Sequence, residues 1–229
     1  MGATNSASKQ MKFYSLKGKA SAEESPNFAL TEKVADKWQV TGNFDTIFGY
    51  LNSAEIKEKE YNGAKFNVFV LEIQDNNETS KVEMTHNSVT HSLINSLATD
   101  CNKMDEYSFV VKKKQDKSKK YWNGAAYVNV KGKKESLRWS IDPQSAPKKE
   151  PVMVNGTQFI QNGKPVWDDS KVRAFWEDIF RSKIIGALGN STPKVASTTA
   201  HSSLDKGTPN LIQQDAAELN TEIMDDLPF

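Results

Sequence analysis

The chain is poor in the residues that build disulfides, metal sites and membrane spans. Its 229 residues include one cysteine and three histidines. A single cysteine, Cys101, excludes an intrachain disulfide and any zinc site made of clustered cysteines. No apolar run approaches the length of a transmembrane helix, and the N-terminus has no hydrophobic signal core. These absences fit a reducing compartment, so we expect a cytoplasmic protein without a membrane partner.

The common catalytic and cofactor motifs are also missing. His86 and His91 are five residues apart, which is not the i, i+4 spacing of a helical metal pair. The chain has no Walker motif and no Gly-x-Ser-x-Gly motif. Asp168-Asp169 is compatible with a two-metal nuclease, but it stands at a predicted helix start, where the helix dipole favours acids. We therefore expect no enzyme activity, no cofactor and no metal, with a metal-dependent nuclease as a remote alternative.

Charge is present in both signs but is unevenly distributed. The net charge is only +1, yet residues 111–150 contain twelve bases and four acids. From Gly207 to Phe229 there is no Lys or Arg, and five residues are acidic. A basic middle followed by an acidic end predicts a polyanion-binding site and a tail that can mimic the polyanion. A solvated charged face is the alternative interpretation.

Composition divides the chain into three parts. Hydrophobic residues make up 37% of the sequence and the mean hydropathy is −0.64, which predicts that part of the length does not fold. Residues 1–36 are expected to form an N-terminal arm with one short strand, and residues 37–189 a folded domain. Residues 190–229 begin with a Ser-, Thr-, Pro- and Ala-rich run and are predicted to form a flexible linker with an acidic interaction tail.

Alternation of apolar residues predicts a mainly β fold for the middle of the chain. The predicted strands cover 44–61, with a bend at Gly49, then 65–74, 81–86, 106–113, 121–130 and 136–141. Asn62-Gly63 is a hairpin turn signal, and Lys131–Lys134 is expected to be the turn between the last two strands. Ser88 is a plausible N-cap for a helix that ends near Asp100.

Two further elements are predicted before the linker. Val152–Trp167, with Asn-Gly at 155–156 and 162–163, is expected to add a hairpin. Asp169-Ser170 is expected to cap a helix over Lys171–Leu188 that Gly189 ends. Whether that helix packs on its own domain or on a second copy is open, so a homo-oligomer stays open as well.

The order strand, strand, strand, short helix, strand, strand is that of the OB-fold, a five-stranded, partly open Greek-key barrel. Tyr61–Phe66 and Asn87–Leu97 resemble the corresponding segments of phage-type single-stranded DNA-binding proteins. The tip Met224–Phe229 resembles the acidic C-terminal tip of bacterial and phage members of that family. The resemblance implies a protein of the bacterial host cytoplasm, if it is phage-encoded.

Binding of single strands needs positive charge beside flat side chains that stack on bases. The predicted DNA-binding residues are Lys112, Lys113, Lys114, Lys117, Lys119, Lys120, Tyr121, Tyr127, Lys131, Lys133, Lys134, Arg138, Trp139 and Tyr50, and Phe48 is a further candidate for stacking. Alternation places Tyr121 and Tyr127 on one strand face and Trp122 on the other, where core packing is expected. Trp139 suits core packing and stacking equally well.

The resemblance also implies a function for the tip. In the family, the tail recruits replication and repair enzymes, such as polymerases, helicases or nucleases, and competes with DNA for the basic groove. The residues predicted to bind such partners are Asp225, Asp226, Leu227, Pro228 and Phe229. We therefore expect non-sequence-specific binding of single-stranded DNA in replication, recombination or repair. The alternative is a partner-binding replication adaptor or an RNA-binding OB protein.

Overall fold

One strongly curled, open sheet of eight strands dominates the computed structural model, which describes residues 10–75, 78–115 and 122–189. The strands stand in the order β3-β2-β1-β6-β5-β4-β7-β8. They are β1 Gln10–Lys17, β2 Asn27–Val34, β3 Lys37–Phe44, β4 Thr46–Tyr61, β5 Ala64–Asp75, β6 Glu78–Met84, β7 Glu106–Gln115 and β8 Trp122–Val130. The prediction of a mainly β fold is confirmed.

The N-terminal residues contribute more to the sheet than the sequence predicts. Residues 10–34 form two strands rather than one, and both pair within the main sheet. β1 pairs in parallel with β6, in a register that sets Phe13 opposite Lys81. A parallel pair is formed by segments far apart in the chain, so no local turn signal predicts it. The predicted arm is therefore continuous with the β structure that follows residue 36.

β4 is long enough to pair with two different strands along the same chain segment. Thr46–Tyr50 pair with β7, and Tyr50–Tyr61 pair with β5. The backbone at Gly49 has a φ of +142°, and a Cβ atom there would lie 2.6 Å from the carbonyl oxygen of Gln74. Only glycine fits such a close approach, so the strand requires a glycine at this position. The predicted turn after β4 is confirmed, with Asn62 and Gly63 both at positive φ.

A helix fills the concave side of the sheet beside β8. This helix, α1, spans Ser88–Leu97 and begins one residue earlier than predicted, because the side chain of Asn87 accepts a 2.9 Å hydrogen bond from the backbone N–H of Thr90. Its buried residues join the inward side chains of β4 to β8. The largest fully buried side chains are Tyr107, Phe28, Phe69, Phe109, Phe180, Leu51, Leu71, Ile73, Met84, Leu93, Ile94 and Leu97.

The segment after β8 corrects one prediction, since residues 136–141 form no strand. The chain instead crosses from β8 to α1. The backbone N–H of Leu137 donates to the carbonyl of Val128 at 2.7 Å, and the buried side chain of Asn95 makes two 2.8 Å hydrogen bonds with the backbone of Ile141. These bonds satisfy backbone groups that a strand partner would otherwise take.

Residues 150–168 form three short antiparallel pairs instead of one hairpin. They are β9 Glu150–Pro151 with β14 Trp167–Asp168, β10 Met153–Val154 with β11 Thr157–Gln158, and β12 Ile160–Gln161 with β13 Lys164–Pro165. Val152, Phe159 and Val166 close a ring in which each backbone N–H donates to the carbonyl of another member, at 2.7–3.0 Å. Both predicted Asn-Gly turns are present.

The last described helix packs on its own chain. α2 spans Ser170–Ile179 and continues as a π-helical turn over Phe180–Ile185. Its apolar stripe is buried against β4 and α1, and the side chain of Asn67 donates to the carboxylate of Glu177 at 2.9 Å. Gly189 has a positive φ, as expected of a residue that ends a helix. Within the described ranges, no helix is long and apolar enough to cross a membrane.

Candidate nucleic-acid interface

Three exposed aromatic side chains share the outer side of β4, β7 and β8. Strand alternation explains their position, because Phe48 follows the buried Ile47, Tyr127 follows the buried Ala126, and Tyr50 stands two residues after Phe48 on the same strand. Phe48 is 56% exposed, Tyr50 43% and Tyr127 40%. Lys112 and Lys114 are exposed on the same side of β7. We call these five residues the aromatic–lysine face.

The strand register fixes which members of the aromatic–lysine face are neighbours. Val110 of β7 stands opposite Tyr127 on one side and Thr46 on the other. Phe48 and Tyr50 follow along β4, and Lys112 follows along β7. Directly opposite residues lie about 5 Å apart and diagonal ones about 7–8 Å. The aromatic rings and lysine amines therefore lie within reach of one extended ligand.

Glu106, an acid on this face, is already paired with a lysine. The Nζ atom of Lys131 lies 2.5 Å from its carboxylate, and the hydroxyl of Tyr50 donates to the same oxygen at 3.4 Å. The hydrogen bond with Glu106 raises the pKa of Lys131 above its ordinary value. Among the described residues, Lys112 and Lys114 have no ion-pair partner. Their positive charges are therefore available to a phosphate.

Lys113 occupies the opposite side of β7. Its Nζ atom donates to the carbonyls of Ser21 and Ala22 at 3.2 and 2.9 Å and lies 4.8 Å from the centre of the Trp122 ring. It thus ties the loop between β1 and β2 to β7 and β8. Because successive side chains alternate along a β-strand, Lys113 lies on the opposite side of β7 from Lys112 and Lys114.

The predicted residues after Lys131 belong to the segment that leaves β8 and crosses to α1. Lys133 pairs with Asp100, which raises the pKa of Lys133, while Arg138 lies 3.5 Å from Glu135. Lys134 and Trp139 are exposed, Trp139 at 51%. β8 has nine residues and is therefore about 30 Å long. Lys112 and Lys114 stand near one end of β8, and Lys131 stands at the other.

Some predicted residues lie outside the described part of the chain. They are Lys117, Lys119, Lys120 and Tyr121, together with the tip residues Asp225, Asp226, Leu227, Pro228 and Phe229. Residues 116–121 join Gln115 of β7 to Trp122 of β8, so covalent connectivity attaches four of the predicted residues to the end of the face where Lys114 stands.

The histidines form a contact that their spacing did not predict. The Nδ1 atom of His86 lies 3.3 Å from the Nε2 atom of His91. The Nε2 atom of His86 lies 3.4 Å from the carboxylate of Glu177. Burial, reinforced by His86, lowers the pKa of His91 well below its ordinary value, so this imidazole is neutral. Within the described ranges, no group of three or more His, Cys, Asp or Glu residues is arranged to hold a metal ion.

The other residues considered for catalysis each have a local partner or are buried. The Asp168 carboxylate accepts a hydrogen bond from the backbone N–H of Ser170 at 2.9 Å, and Asp169 pairs with Arg173 at 2.8 Å. Burial raises the pKa of the Cys101 thiol to about 12, so it is held in the protonated form.

Comparisons with protein-family models, curated proteins and solved structures found no match to this chain. The function proposed below therefore depends on geometry and charge.

Proposed function

We propose that the protein binds single-stranded DNA along the aromatic–lysine face, without sequence preference, and recruits replication or repair proteins through its C-terminal tip. The observation that carries the DNA proposal is the shared exposure of Phe48, Tyr50 and Tyr127 beside Lys112 and Lys114. Stacking on a flat side chain contributes about 1–3 kcal/mol per base and tolerates any base. Lysines beside such rings suit the phosphates that link the bases.

The order of strands supports an OB-like unit made of β4 to β8. Within the sheet these strands run β6-β5-β4-β7-β8, and α1 lies between the third and fourth of them in the chain. In OB-folds, the loop between the fourth and fifth strands is one of those that hold oligonucleotides. In this chain, residues 116–121 connect the corresponding strands, β7 and β8, and include Lys117, Lys119, Lys120 and Tyr121.

The proposed unit differs from a closed barrel in one respect. β6 pairs with β1 instead of approaching β8, and β1, β2 and β3 extend the sheet. The loop after β1 spans the opening, since a Cβ atom at Gly124 of β8 would lie 3.0 Å from the carbonyl oxygen of Gly18. We infer that the three N-terminal strands are an addition to the unit, and that they leave the aromatic–lysine face uncovered.

Titration with oligo(dT) and with duplex DNA at two salt concentrations tests the proposal. We expect tighter binding of the single strand, because bases stacked inside a duplex cannot offer their faces to a protein ring. Each phosphate neutralised on a single strand should add about −0.7 to the slope of log K against log salt. Equal affinity for both DNA forms, or affinity independent of salt, would contradict the proposal. An oligo(rU) arm measures the preference for DNA over RNA.

The tip is tested by deleting Asp225–Phe229. We expect DNA affinity to stay equal or to rise, with the larger gain at low salt, because acidic residues compete with phosphate for basic groups through screened charge. Partner capture should be lost in the deletion and also in Phe229→Ala, which keeps the competing carboxylates. A truncated protein that loses DNA affinity and keeps its partners would show that the tip belongs to the DNA site.

A further inference from the structure

A cavity of about 340 Å³ lies between α1 and α2, on the opposite side of the sheet from the aromatic–lysine face. Three tryptophans line it: Trp139 from the segment after β8, Trp167 from β14 and Trp176 from α2. Lys148 and Lys149 also line it. The volume is at the lower end of the range for small-molecule sites, about 300–1,000 Å³.

The walls of this cavity are fixed by contacts within the protein. Trp176 is 5% exposed and stacks on His91 at 4.9 Å between ring centroids. Asn95 holds Ile141 through two hydrogen bonds, and the hydroxyl of Thr99 donates to the carbonyl of Arg138 at 2.6 Å. These bonds flank Trp139 on both sides, so the segment that carries it is attached to α1.

Most polar groups that line the cavity already form hydrogen bonds within the protein. The hydroxyl of Ser92 donates to the carbonyl of Val89 and accepts from the backbone N–H of Ala126, both at 2.9 Å. Asn95 and His91 have the partners given above. The cavity thus offers flat apolar walls and positive charge, with few hydrogen-bonding groups. A docked peptide would need partners for its backbone groups, whereas a stacked base of any sequence does not.

We propose that this cavity holds one base of the single strand that occupies the aromatic–lysine face, with its phosphate beside Lys148. This inference rests on the proposed function and extends the DNA path to the other side of the sheet. Two indoles of the site stand ready for stacking, since Trp139 is 51% exposed and Trp167 42%. Exposed indoles beside lysines are the combination that binding of single strands uses.

A basic segment connects the two sites. Residues 131–149 contain six bases and two acids. The segment begins at Lys131, whose backbone N–H donates to the carbonyl of Glu106 at 2.9 Å at the end of the aromatic–lysine face. It then crosses the β8 edge, where Leu137 bonds to Val128, and reaches Trp139 at the mouth of the cavity. Lys131, Lys133 and Arg138 are paired with acids, so a strand that leaves the face at Lys131 passes the exposed Lys134 before it reaches Trp139.

Oligonucleotides of two lengths separate the cavity from the face. The full-length protein is titrated with oligo(dT) of about 4 and about 16 nucleotides, which bracket the usual site sizes. Trp139→Ala should leave binding of the short strand unchanged and weaken binding of the long strand about 5- to 150-fold, the equivalent of about 1–3 kcal/mol. Lys148→Gln should weaken the long complex alone, and more so at low salt. Trp38→Ala, which removes a 60% exposed indole from β3, is the matched control and should change neither.

Three results would overturn the inference. The first is unchanged long-strand binding in both Trp139→Ala and Lys148→Gln while Tyr127→Ala weakens both lengths, which would leave the proposed function standing. The second is the absence of any binding to single strands in the unmodified protein, which would remove the proposed function as well. The third is a synthetic Met224–Phe229 peptide that binds the protein, loses binding in Trp139→Ala, and does not compete with the long strand. Thermal unfolding by circular dichroism establishes that each variant is folded.

Discussion

The outer surface of the sheet has two regions that differ in how their charges are used. On β5, β6 and the second half of β4, lysines and acids pair with one another, as in Lys59–Glu83 at 2.5 Å and Lys81–Glu72 at 3.8 Å. We call these four residues the paired-charge face. Val68 and Val70 are buried beneath them, each 2% exposed. On the aromatic–lysine face, the rings are exposed, and Lys112 and Lys114 have no ion-pair partner among the described residues.

This difference in charge pairing shows which part of one continuous sheet is available to bind a polyanion. A lysine that already neutralises a carboxylate must give up that contact to bind a phosphate, and side chains shielded by paired charges cannot stack on a base. Exposed rings gain contacts only when a ligand covers them. The bulge between Leu51 and Ser53 separates the two regions within β4 itself, because the alternation of its side chains shifts there.

The strongest way to break the comparison is to remove two rings from the aromatic–lysine face. Phe48→Ala combined with Tyr127→Ala should weaken binding of oligo(dT) by about 2–6 kcal/mol, since each stacked base contributes about 1–3 kcal/mol. Fluorescence anisotropy of a labelled strand measures the loss. Trp38→Ala removes an equally exposed ring elsewhere on the sheet and should have no effect on a strand of about 4 nucleotides. Equal losses of oligo(dT) affinity in the double variant and in Trp38→Ala would show that the aromatic–lysine face binds the strand no better than another exposed ring does.

A second change alters the boundary between the two regions. Gly49→Ala should lower the free energy of unfolding by about 1–3 kcal/mol for the backbone conformation alone, and by more because of the close approach to the carbonyl of Gln74. Gly63→Ala is the matched control, since Gly63 also has a positive φ but nothing lies within 4 Å of its added Cβ. Urea unfolding of both variants isolates the contact. Equal destabilisation would show that β4 relaxes around Gly49 without strain.

Charge removal sharpens the comparison further. Lys112→Gln and Lys114→Gln should each make the slope of log K against log salt shallower by about 0.7, one phosphate contact on a single strand. Lys81→Gln, on the paired-charge face, should leave the slope unchanged because its charge is engaged with Glu72. The slopes come from titrations at four or more salt concentrations. A shallower slope in Lys81→Gln would place the DNA on both regions.

The smallest expected effect is on the fold that both regions share. The pKa of His91 is lowered by burial and by His86, so the unfolded chain takes up a proton below about pH 6.5 that the folded protein does not. The free energy of unfolding should therefore decrease as the pH falls from 7.5 to 5.5, by at most about 1.4 kcal/mol per pH unit below pH 6.5.

Denaturant titrations of the wild type and His91→Gln measure this dependence, and the variant should lose most of it. His86, Arg173, Glu177 and Lys149 are the ionisable groups that influence His91 or its neighbour. Burial raises the pKa of Glu177, but its hydrogen bonds with His86 and Asn67 outweigh burial and hold it below 4.5. Glu177 therefore stays ionised over this range. An unchanged pH dependence in His91→Gln would assign the effect to another group.

Local patterns predicted most of the elements between β4 and α2. Alternation located most of the strands, Asn-Gly pairs located three turns, and the start and stop signals at Asp169-Ser170 and Gly189 located α2. Each of these signals depends on residues that are close in sequence. The same alternation sets Tyr127 and Trp122 on opposite sides of β8, and on β7 it separates Lys113 from Lys112 and Lys114.

The sequence alone determined the β-rich middle, the asymmetry of charge and the side of β8 on which Tyr127 lies, because backbone geometry fixes period and turn type locally. Only the tertiary structure decided that β1 joins β6 in parallel, that Asn95 draws residues 137–141 onto α1, and that three distant tryptophans meet in one cavity. These contacts join segments whose neighbours in sequence do not specify them. Which of these long-range contacts form depends on which surfaces remain to be buried after the local elements have formed.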